Sequence, residues 1–249
     1  MRITITIPLE VLQTVADATD VTDGSRALFQ FKQQRLEIHL TSNAKICSMD
    51  LILPIDRTLD LNTPLSIGVD VAPFTKFTRI FADMGIETTI RSSEGKISFS
   101  QNNISLRFQL NDIGKIPQAG SHHNCDRSEK IVLSGSRLNK VIKLAGQLSE
   151  RISFTVHPNE SSFCVQASGD TDYVEMWTNH SSITTSNGTE SEPIKTDLIA
   201  KYIKPLQATI PNSAEVMYKV TYDSSLRVTY TLPQTNAMVS YCIPRILKR

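Results

Sequence analysis

The clearest alternation of hydrophobic and polar positions lies between Leu133 and Glu150, in the segment LSGSRLNKVIKLAGQLSE. At a period of 3.6 residues the apolar side chains fall on one face, which predicts an amphipathic helix. The apolar face consists of Leu138, Val141, Ile142, Ala145 and Leu148. The opposite face carries Arg137, Lys140, Lys143 and Gln147. Ser134 or Ser136 can cap the helix start, because a hydroxyl oxygen accepts hydrogen bonds from the free amide groups of the first turn.

The row of cations on this helix has two readings. On a lone helix, such a row is most simply a solvated outer face. If other helices of the chain repeat the row, the cations are placed to meet an anionic partner. The remaining helices therefore decide between the two readings.

Three further helices are predicted by the same periodicity. The first runs from Pro8 to Thr19, and proline suits a first helical turn. The second covers Val71 to Met84 after a capping Asp70, and the last begins after a Thr196–Asp197 cap and ends near Gln207. The apolar face of the last helix consists of Leu198, Ile199, Tyr202, Ile203 and Leu206.

Basic side chains lie opposite the apolar face in three of the four predicted helices. They are Lys76 and Arg79, then Arg137, Lys140 and Lys143, and finally Lys201 and Lys204. The first helix differs, because its polar face carries Glu10, Gln13 and Asp17. Lysine and arginine without interleaved aromatic residues suit contacts with phosphates rather than stacking on bases. The repeated pattern therefore predicts a sequence-independent contact with the backbone of duplex DNA.

Short segments of alternating or β-branched residues predict antiparallel strands between the helices. They cover residues 2–7, 26–31, 35–40, 46–55, 64–69, 86–91, 96–101, 104–110, 129–133, 151–156, 163–167, 173–178, 215–222, 226–232 and 237–243. Periodicity is lost over residues 116–128, IPQAGSHHNCDRS, and the order of strands and helices then starts again, with Asp70 and Asp197 at matching places. We predict an α+β fold of two repeated domains, 1–115 and 129–249, each with two helices against antiparallel sheets, joined by a connector at 116–128.

Composition narrows the class of protein. The chain has 249 residues, of which 40% are hydrophobic and 20% are charged, as in a folded globular protein. The net charge is only +1, which excludes a basic field over the whole molecule, so contact with nucleic acid must come from charge segregated onto one surface. No apolar run approaches the ~20 residues of a membrane span, and the N-terminus has no signal-peptide core. We therefore expect an intracellular protein.

The sequence offers little chemistry of its own. It has no glycine-rich phosphate loop, no GxSxG motif and no acid–base pair that periodicity would bring together. The HHNC run at 122–125 supplies too few metal ligands at workable spacing, and a polar linker explains it better. No CxxC pair is formed by the four cysteines, Cys47, Cys125, Cys164 and Cys242, which favours free thiols. We predict a protein that is not an enzyme and needs no cofactor or metal ion.

Six segments, taken in order, resemble the sliding clamps of the proliferating cell nuclear antigen (PCNA) family of archaea, eukaryotes and some viruses. They are LSIGVDVAPFTKFTRIFADMG, LSGSRLNKVIKLAGQL, FCVQASGDTDYVEMW, DLIAKYIKPL, SLRVTYTL and YCIPRI. Their order and spacing cover essentially the whole chain. The first segment places Lys76 and Arg79, and the second places Lys140 and Lys143, on the basic channel positions of the family.

The resemblance implies two clamp domains per chain and a ring of three subunits, expected to be of one kind, whose helices line a channel around duplex DNA. The subunits would join edge to edge, with the strand near Ser105–Leu110 of one subunit paired with the strand near Tyr173–Thr178 of the next. The interface residues would be Ser105, Arg107, Leu110, Tyr173, Glu175 and Trp177. Closing a ring in this way also covers sheet edges that otherwise invite aggregation.

The resemblance also implies partners that dock a short peptide motif in a pocket beneath the inter-domain connector. In the family these partners include the DNA polymerase, the clamp loader, the flap nuclease and the DNA ligase. By position, the pocket residues would be Leu40, Ile46, Ile116, Pro117, Tyr241, Ile243 and Pro244. Apolar residues of this kind also form ordinary cores, and the residues alone leave both readings open for Ile46 and Tyr241.

Three features depart from the family pattern. The first helix lacks basic residues, the connector is longer and more polar, and the segment from Leu40 to Ile46 differs from the family's turn. The predicted function is a DNA polymerase processivity clamp, cytoplasmic in an archaeal or viral host and nuclear in a eukaryote. A checkpoint-type or heterotrimeric clamp subunit is a close alternative. A protein-interaction scaffold that does not bind DNA is an alternative of another class.

Overall fold

The structure is a computed structural model that describes residues 2–22, 25–42, 47–56, 58–59, 61, 63–72, 86–91, 95–101, 104–116, 128–160, 162–179, 184–186, 192–221 and 225–245. Its strands in the first half are β1 (Arg2–Ile7), β2 (Arg26–Phe31), β3 (Arg35–Thr41), β4 (Ser48–Pro54), β5 (Leu65–Asp70), β6 (Ile86–Arg91), β7 (Lys96–Gln101) and β8 (Ile104–Gln109). Those in the second half are β9 (Ser128–Ser134), β10 (Arg151–His157), β11 (Ser162–Ser168), β12 (Tyr173–Asn179), β13 (Thr184–Ser186), β14 (Ile194–Ile199), β15 (Glu215–Thr221), β16 (Ser225–Thr231) and β17 (Met238–Pro244). The described helices are α1 (Leu9–Thr22), α2 (Gly135–Leu148), α3 (Ala200–Ile203) and α4 (Leu206–Thr209), with short 3₁₀ helices at Ile113–Lys115 and Pro158–Glu160.

The strands form three antiparallel sheets. Two have four strands, in the orders β1-β6-β7-β8 and β12-β11-β10-β14. The third has nine strands, in the order β13-β9-β15-β16-β17-β4-β3-β2-β5. The nine-stranded sheet crosses from one half of the chain to the other, because β17 pairs with β4. The predicted α+β class with antiparallel sheets is confirmed, whereas the domain boundaries at 115 and 129 stay a prediction.

The core lies between the sheets and a layer of helices. Helix α1 packs against β3 and β4, and α2 packs against the strands from β9 to β12. The largest fully buried side chains are Tyr218, Tyr241, Phe29, Phe31, Phe99, Phe154 and Phe163. The strands that contact α1 and α2 therefore have an apolar face covered by a helix, and their other face points outward.

The last predicted helix is wrong over its first part. Asp197 does not cap a helix but lies in β14, which pairs with β10, and the Ser153 hydroxyl donates to its carboxylate at 2.6 Å. Leu198 and Ile199 are likewise strand residues rather than members of a helical face. What remains of the helix is split into α3 and α4 by a turn at Pro205, whose ring nitrogen cannot donate a helical hydrogen bond.

Asp70 ends β5, and its carboxylate accepts a hydrogen bond from the Ala72 N–H at 3.1 Å. The bond is of the kind a helix cap makes, but residues 73–85, with nearly all of the predicted second helix, lie outside the described residues. Arg26 opposite Asp70 has its counterpart in Arg151 opposite Ile199. The residue that matches Asp70 is therefore Ile199, not Asp197. Strand β13 is not among the predicted strands, and β9 begins at 128, inside the predicted connector.

Helix α2 begins differently from the prediction. Ser134 occupies the cap position, but its hydroxyl makes no capping hydrogen bond. Instead, the amide groups of Gly135 and Ser136 donate to the carbonyls of Ala214 and Asn212, at 2.9 and 3.2 Å. A Cβ at Gly135 would lie 2.4 Å from another carbonyl oxygen of the same loop. The backbone before β15 therefore replaces the side-chain cap, and this close approach requires glycine.

Candidate nucleic-acid interface and subunit edges

The described helices form one continuous layer. Helix α1 contacts α3 and α4, and α2 contacts the same two short helices from the other side. The helices of the two halves therefore lie side by side on one surface, as the sequence pattern predicts. Lys76 and Arg79, which the pattern places on the same surface, lie outside the described residues.

The polar face of α2 is exposed as predicted. Its exposed residues include Arg137, Lys140, Lys143 and Gln147. On the opposite face Val141, Ile142 and Ala145 are buried in the core. The helix is thus anchored by its apolar face and presents its cations to the solvent beyond the helix layer.

Lys201 and Lys204 extend this surface from α3. Both side chains are exposed, and the Lys201 ammonium lies 5.7 Å from the centre of the Tyr202 ring. The aliphatic part of Lys204 lies on α2 at Gly146, where an added Cβ would come within 2.4 Å of Cε and 2.8 Å of Cγ. The cations of α2 and α3 therefore belong to a single positive surface.

The two flanks of α2 differ. One flank faces the short helices and the loop before β15. It carries Gly146, which lies beneath Lys204, and Asn139, whose side-chain amide donates to the Ile210 carbonyl at 3.2 Å. At 100° per residue, Leu144 falls on the opposite flank beside Arg137. Leu144 is 51% exposed. Leu144 is not among the predicted apolar-face residues, although a leucine among cations is visible in the helical pattern.

Glu10 is less accessible than the acidic polar face of the first helix suggests. Its carboxylate packs toward the turn between β16 and β17. Burial raises the pKa of Glu10, and hydrogen bonds from the Thr235 hydroxyl and the Gln234 backbone oppose that rise. Asp17 is exposed on the same helix. Part of the negative charge on α1 is therefore used within the fold rather than presented to the surface.

The predicted subunit strands are both sheet edges. Within the described chain, β8 ends one four-stranded sheet and β12 ends the other, so each pairs with a neighbour on one side only. On β8, Ser105 and Arg107 are exposed. On β12, Tyr173 and Trp177 are exposed to 56% and 48%, which is unusual for such large side chains.

On each edge strand the face that points away from the core is polar, and the two faces carry opposite charges. Arg107 stands on β8 and Glu175 on β12. Hydrogen bonds from Gln166, at 2.6 Å, and from Trp177 and Tyr173 lower the pKa of Glu175 to about 2. On the core-facing side, Phe108, Leu110, Val174 and Met176 are partly buried. The two edges therefore match in both polarity and face.

The predicted partner pocket is only partly described. Ile46 and Pro117 lie outside the described residues. Leu40, Tyr241 and Ile243 are fully buried and Ile116 is 5% exposed, while Pro244 is half-buried. For Tyr241 the core reading is the one the structure supports, and burial raises the pKa of its phenol well above the usual value. Whether the remaining residues bind a peptide stays a prediction.

A charged cluster lies on the outer face of β3 and β4. His39 Nδ1 is 2.7 Å from Asp50 Oδ1, and this hydrogen bond raises the pKa of His39 against the opposing effect of burial. Lys32 and Arg35 each contact the Glu37 carboxylate at 2.6 Å. Burial pushes the pKa of Glu37 upward, but these two partners outweigh it and hold the pKa below the usual value.

Other classes of site find no support in the described ranges. There, no group of three or more His, Cys, Asp and Glu residues is placed to share a metal ion. Cys47, Cys164 and Cys242 are buried thiols that are not joined in a disulfide, and burial raises the pKa of Cys47 and Cys164 to about 12. None of the helices in these ranges is both long and apolar enough to cross a lipid bilayer.

Comparison with known sequences points to one class of protein. No protein-family model matches the chain. It is similar to archaeal proteins named DNA polymerase sliding clamp. The protein of Methanoculleus marisnigri is 23% identical over 211 residues, 83% of each chain. That of Methanospirillum hungatei is 26% identical over 185 residues, 72% of each chain, and that of Haloarcula marismortui is 23% identical over 245 residues, 96% of this chain and 97% of the other.

Comparison with solved structures gives the same fold over the full length. A. fulgidus PCNA, solved with the C-terminal region of FEN-1 bound, has a TM-score of 0.84 at 18% identity and covers all of both chains. PCNA of Thermococcus kodakaraensis has a TM-score of 0.78 at 16% identity, over 98% of this chain and 100% of the other. The fold is that of a clamp subunit. Taken with the sequence similarity to archaeal sliding clamps, this fold confirms the predicted resemblance to the sliding clamps of the PCNA family.

Proposed function

We propose that the chain is a processivity factor, which encircles duplex DNA as a ring of three copies and tethers replication and repair enzymes to it. The observation that carries the proposal is the continuous helix layer with exposed cations on α2 and α3, together with two sheet edges of opposite charge that are open within the described residues. A ring built through those edges turns the helix layers of three copies toward a common channel. Such a protein holds DNA by topology and needs no catalytic group.

The contact with DNA is assigned to the exposed cations of the helix layer. Lys140 and Lys143 on α2, with Lys201 and Lys204 on α3, face phosphates without reading bases, so each contact is weak and sliding stays free. Lys76 and Arg79 are assigned to the same surface from the sequence pattern. Arg137 belongs to the flank that carries Leu144, so it lies nearer the β12 edge than the other cations do.

The contact between copies is assigned to β8 of one copy and β12 of the next. Because the two edges differ, the joint is head-to-tail, and such joints close into a ring when the rotation between copies allows it. Ser105, Arg107 and Leu110 belong to one side, and Tyr173, Glu175 and Trp177 to the other. Tyr173 and Trp177 would lose apolar exposure there.

The partners are assigned by analogy with the similar proteins. A. fulgidus PCNA is bound to the C-terminal region of FEN-1, which supports a flap nuclease as a partner of this chain. We extend this to a DNA polymerase, a clamp loader and a DNA ligase that carry short peptide motifs. Their site would be the pocket of Leu40, Ile46, Ile116, Pro117, Tyr241, Ile243 and Pro244, of which Pro244 is the described residue with a half-exposed side chain. Leu40, Ile116, Tyr241 and Ile243 are buried, so a partner could contact them only if the residues above them moved aside.

The test is retention on DNA. Protein loaded onto nicked circles by its clamp loader should stay bound until the circle is cut, and should then leave from the free ends. Release from intact circles at the same rate would refute encirclement. Light scattering of the protein alone should give the mass of three chains.

A heteromeric ring is the second candidate, because the PCNA2–PCNA3 complex of Sulfolobus tokodaii shares the fold, with a TM-score of 0.73 at 13% identity over 98% of this chain and 99% of that chain. A monomer in light scattering that completes a ring only with a second, different chain would favour it. A scaffold that never binds DNA would keep its function when Lys140 and Lys143 are changed to Glu.

A further inference from the structure

One pair of strands inside the chain occupies the same place in the fold as the β8–β12 pair proposed between copies. Strand β17 is the last strand of the second half, as β8 is of the first. Strand β4 is the third strand after α1, as β12 is after α2. Strands β17 and β4 pair with each other inside the chain, whereas β8 and β12 each have one open side within the described chain. The internal joint is therefore a template for the joint between copies.

The two halves can be matched residue by residue through their sheet registers. On one side, Leu40 opposite Met49 corresponds to Ala167 opposite Val174. Val174 on β12 is therefore the counterpart of Met49 on β4. This match keeps the faces correct, because Met49 is buried and Val174 is partly buried on the helix side.

The same comparison of sheet registers matches β8 with β17. Leu226 opposite Ile243 corresponds to Ile97 opposite Phe108, with Leu226 and Ile97 both fully buried. Phe108 on β8 is therefore the counterpart of Ile243 on β17. It follows that Arg107 corresponds to Cys242 and Ser105 to Ser240.

In the internal joint, Cys242 lies opposite Ser48 and Ser240 lies opposite Asp50. Ser48 corresponds to Tyr173 and Asp50 to Glu175. Resting on the proposed ring, we propose that β8 and β12 of neighbouring copies pair antiparallel, with Arg107 opposite Tyr173 and Ser105 opposite Glu175.

This register has a chemical consequence. Arg107 then stands diagonally across from Glu175, at a separation that a long side chain spans between antiparallel strands. The guanidinium lies over the Tyr173 ring and reaches the carboxylate that Gln166 already holds. The occupant of each edge is thus a second copy of the same chain, matched in charge and in face.

Cysteine pairs test the register directly. Directly opposed residues have Cα atoms about 4.5–5.5 Å apart, within the range of a disulfide, whereas diagonal neighbours are about 7–8 Å apart and beyond it. Three double variants are made with Cys164 replaced by Ala, since its sulfur lies 3.4 Å from Glu175. They are Arg107→Cys with Tyr173→Cys, Arg107→Cys with Glu175→Cys, and Ser105→Cys with Tyr173→Cys.

Under mild oxidation, the first pair should give covalent trimers on a non-reducing gel, and the other two pairs should lose this product. Covalent trimers from either shifted pair instead, or from none in a protein that light scattering shows to be trimeric, would overturn the register and leave the ring intact. If the unmodified protein does not form trimers, the proposed function fails first. Should a double variant not fold, the two single variants are mixed, and the same register then predicts a covalent dimer from Arg107→Cys with Tyr173→Cys alone.

Discussion

A substitution at Gly146 allows a sharp test of the positive surface, because it moves the Lys204 side chain without removing its charge. The Lys204 stem lies on the bare backbone of α2 at this residue, and an added Cβ would come within 2.4 Å of Cε, 2.8 Å of Cγ and 3.1 Å of Cδ. The variant Gly146→Ala must therefore push the stem aside. The helix itself should gain, since alanine is favoured over glycine in a helix interior by about 1 kcal/mol.

The magnitude follows from the salt dependence of phosphate contacts. Each contact contributes about 0.9 to the slope of log affinity against log salt. A fourfold rise in salt concentration lowers the DNA affinity of both proteins. The factor by which it falls should be about 3.5-fold smaller for a variant that lacks one contact than for the unmodified protein. We expect Lys204→Met to show this full difference, because methionine keeps the stem and loses the charge. Gly146→Ala should fall between the two.

The assay is the fluorescence anisotropy of a labelled duplex titrated with protein at a low and a fourfold higher salt concentration. A matched control is Gly114→Ala, where a Cβ would meet only Asp112 Oδ1 at 3.5 Å. A second control is Lys130→Met, which removes an exposed cation from the face of β9 that points away from the helices.

Two results would refute the reasoning. If Lys204→Met keeps the unmodified salt slope, Lys204 makes no phosphate contact. If Lys204→Met lowers the slope but Gly146→Ala does not, Gly146 does not act through Lys204. The same conclusion follows if adding Gly146→Ala to Lys204→Met lowers the slope further. A fall in melting temperature with an unchanged slope would show instead that Lys204 stabilises the end of α2, whose last turn has no cation of its own.

Three further predictions test other parts of the molecule. Changing Lys140 and Lys143 to Glu should abolish stimulation of DNA synthesis while light scattering still gives the trimer mass; undiminished stimulation would contradict their role. His39 has a raised pKa in the folded state, so its stabilising effect is complete below its usual pKa and is lost as the pH rises through the folded value. His39→Asn should therefore lower the free energy of unfolding measured in urea at pH 6 but not at pH 9, and an equal loss at both values would refute the assignment. Gly68→Ala should cost about 1–3 kcal/mol in the same measurement, because its Cβ would lie 2.9 Å from a backbone carbonyl oxygen, and an unchanged midpoint would contradict that contact.

Long, strongly periodic elements could be predicted from the sequence because their signal is local. Helix α2 has the predicted apolar and basic faces, and most strands lie within two residues of their predicted bounds. The second part of β14, from Thr196 to Ile199, fits both periods, and the sequence predicts it as the cap and start of a helix. Ile194, Thr196 and Leu198 alternate as in a strand, and Leu198 with Tyr202 is spaced as in a helix. Pairing with β10, distant in sequence, decides between them.

The parts of the candidate site that could not be predicted depend on contacts between distant residues. The amide groups at the start of α2 donate to the loop before β15, so a serine that fits the cap pattern is not used. Glu10 is held by a turn more than two hundred residues away, which no helical pattern reveals. The burial of Tyr241 likewise follows from its place in the middle of the nine-stranded sheet.

The pairing of β17 with β4 also bears on how a closed ring would let DNA in. Both strands belong to one polypeptide, so after a local separation they meet again at the high effective concentration of tethered partners. Strands β8 and β12 of different copies have no such tether. Opening should therefore occur between copies rather than within one, and backbone amides of β8 and β12 should exchange with deuterated solvent sooner than those of β4 and β17.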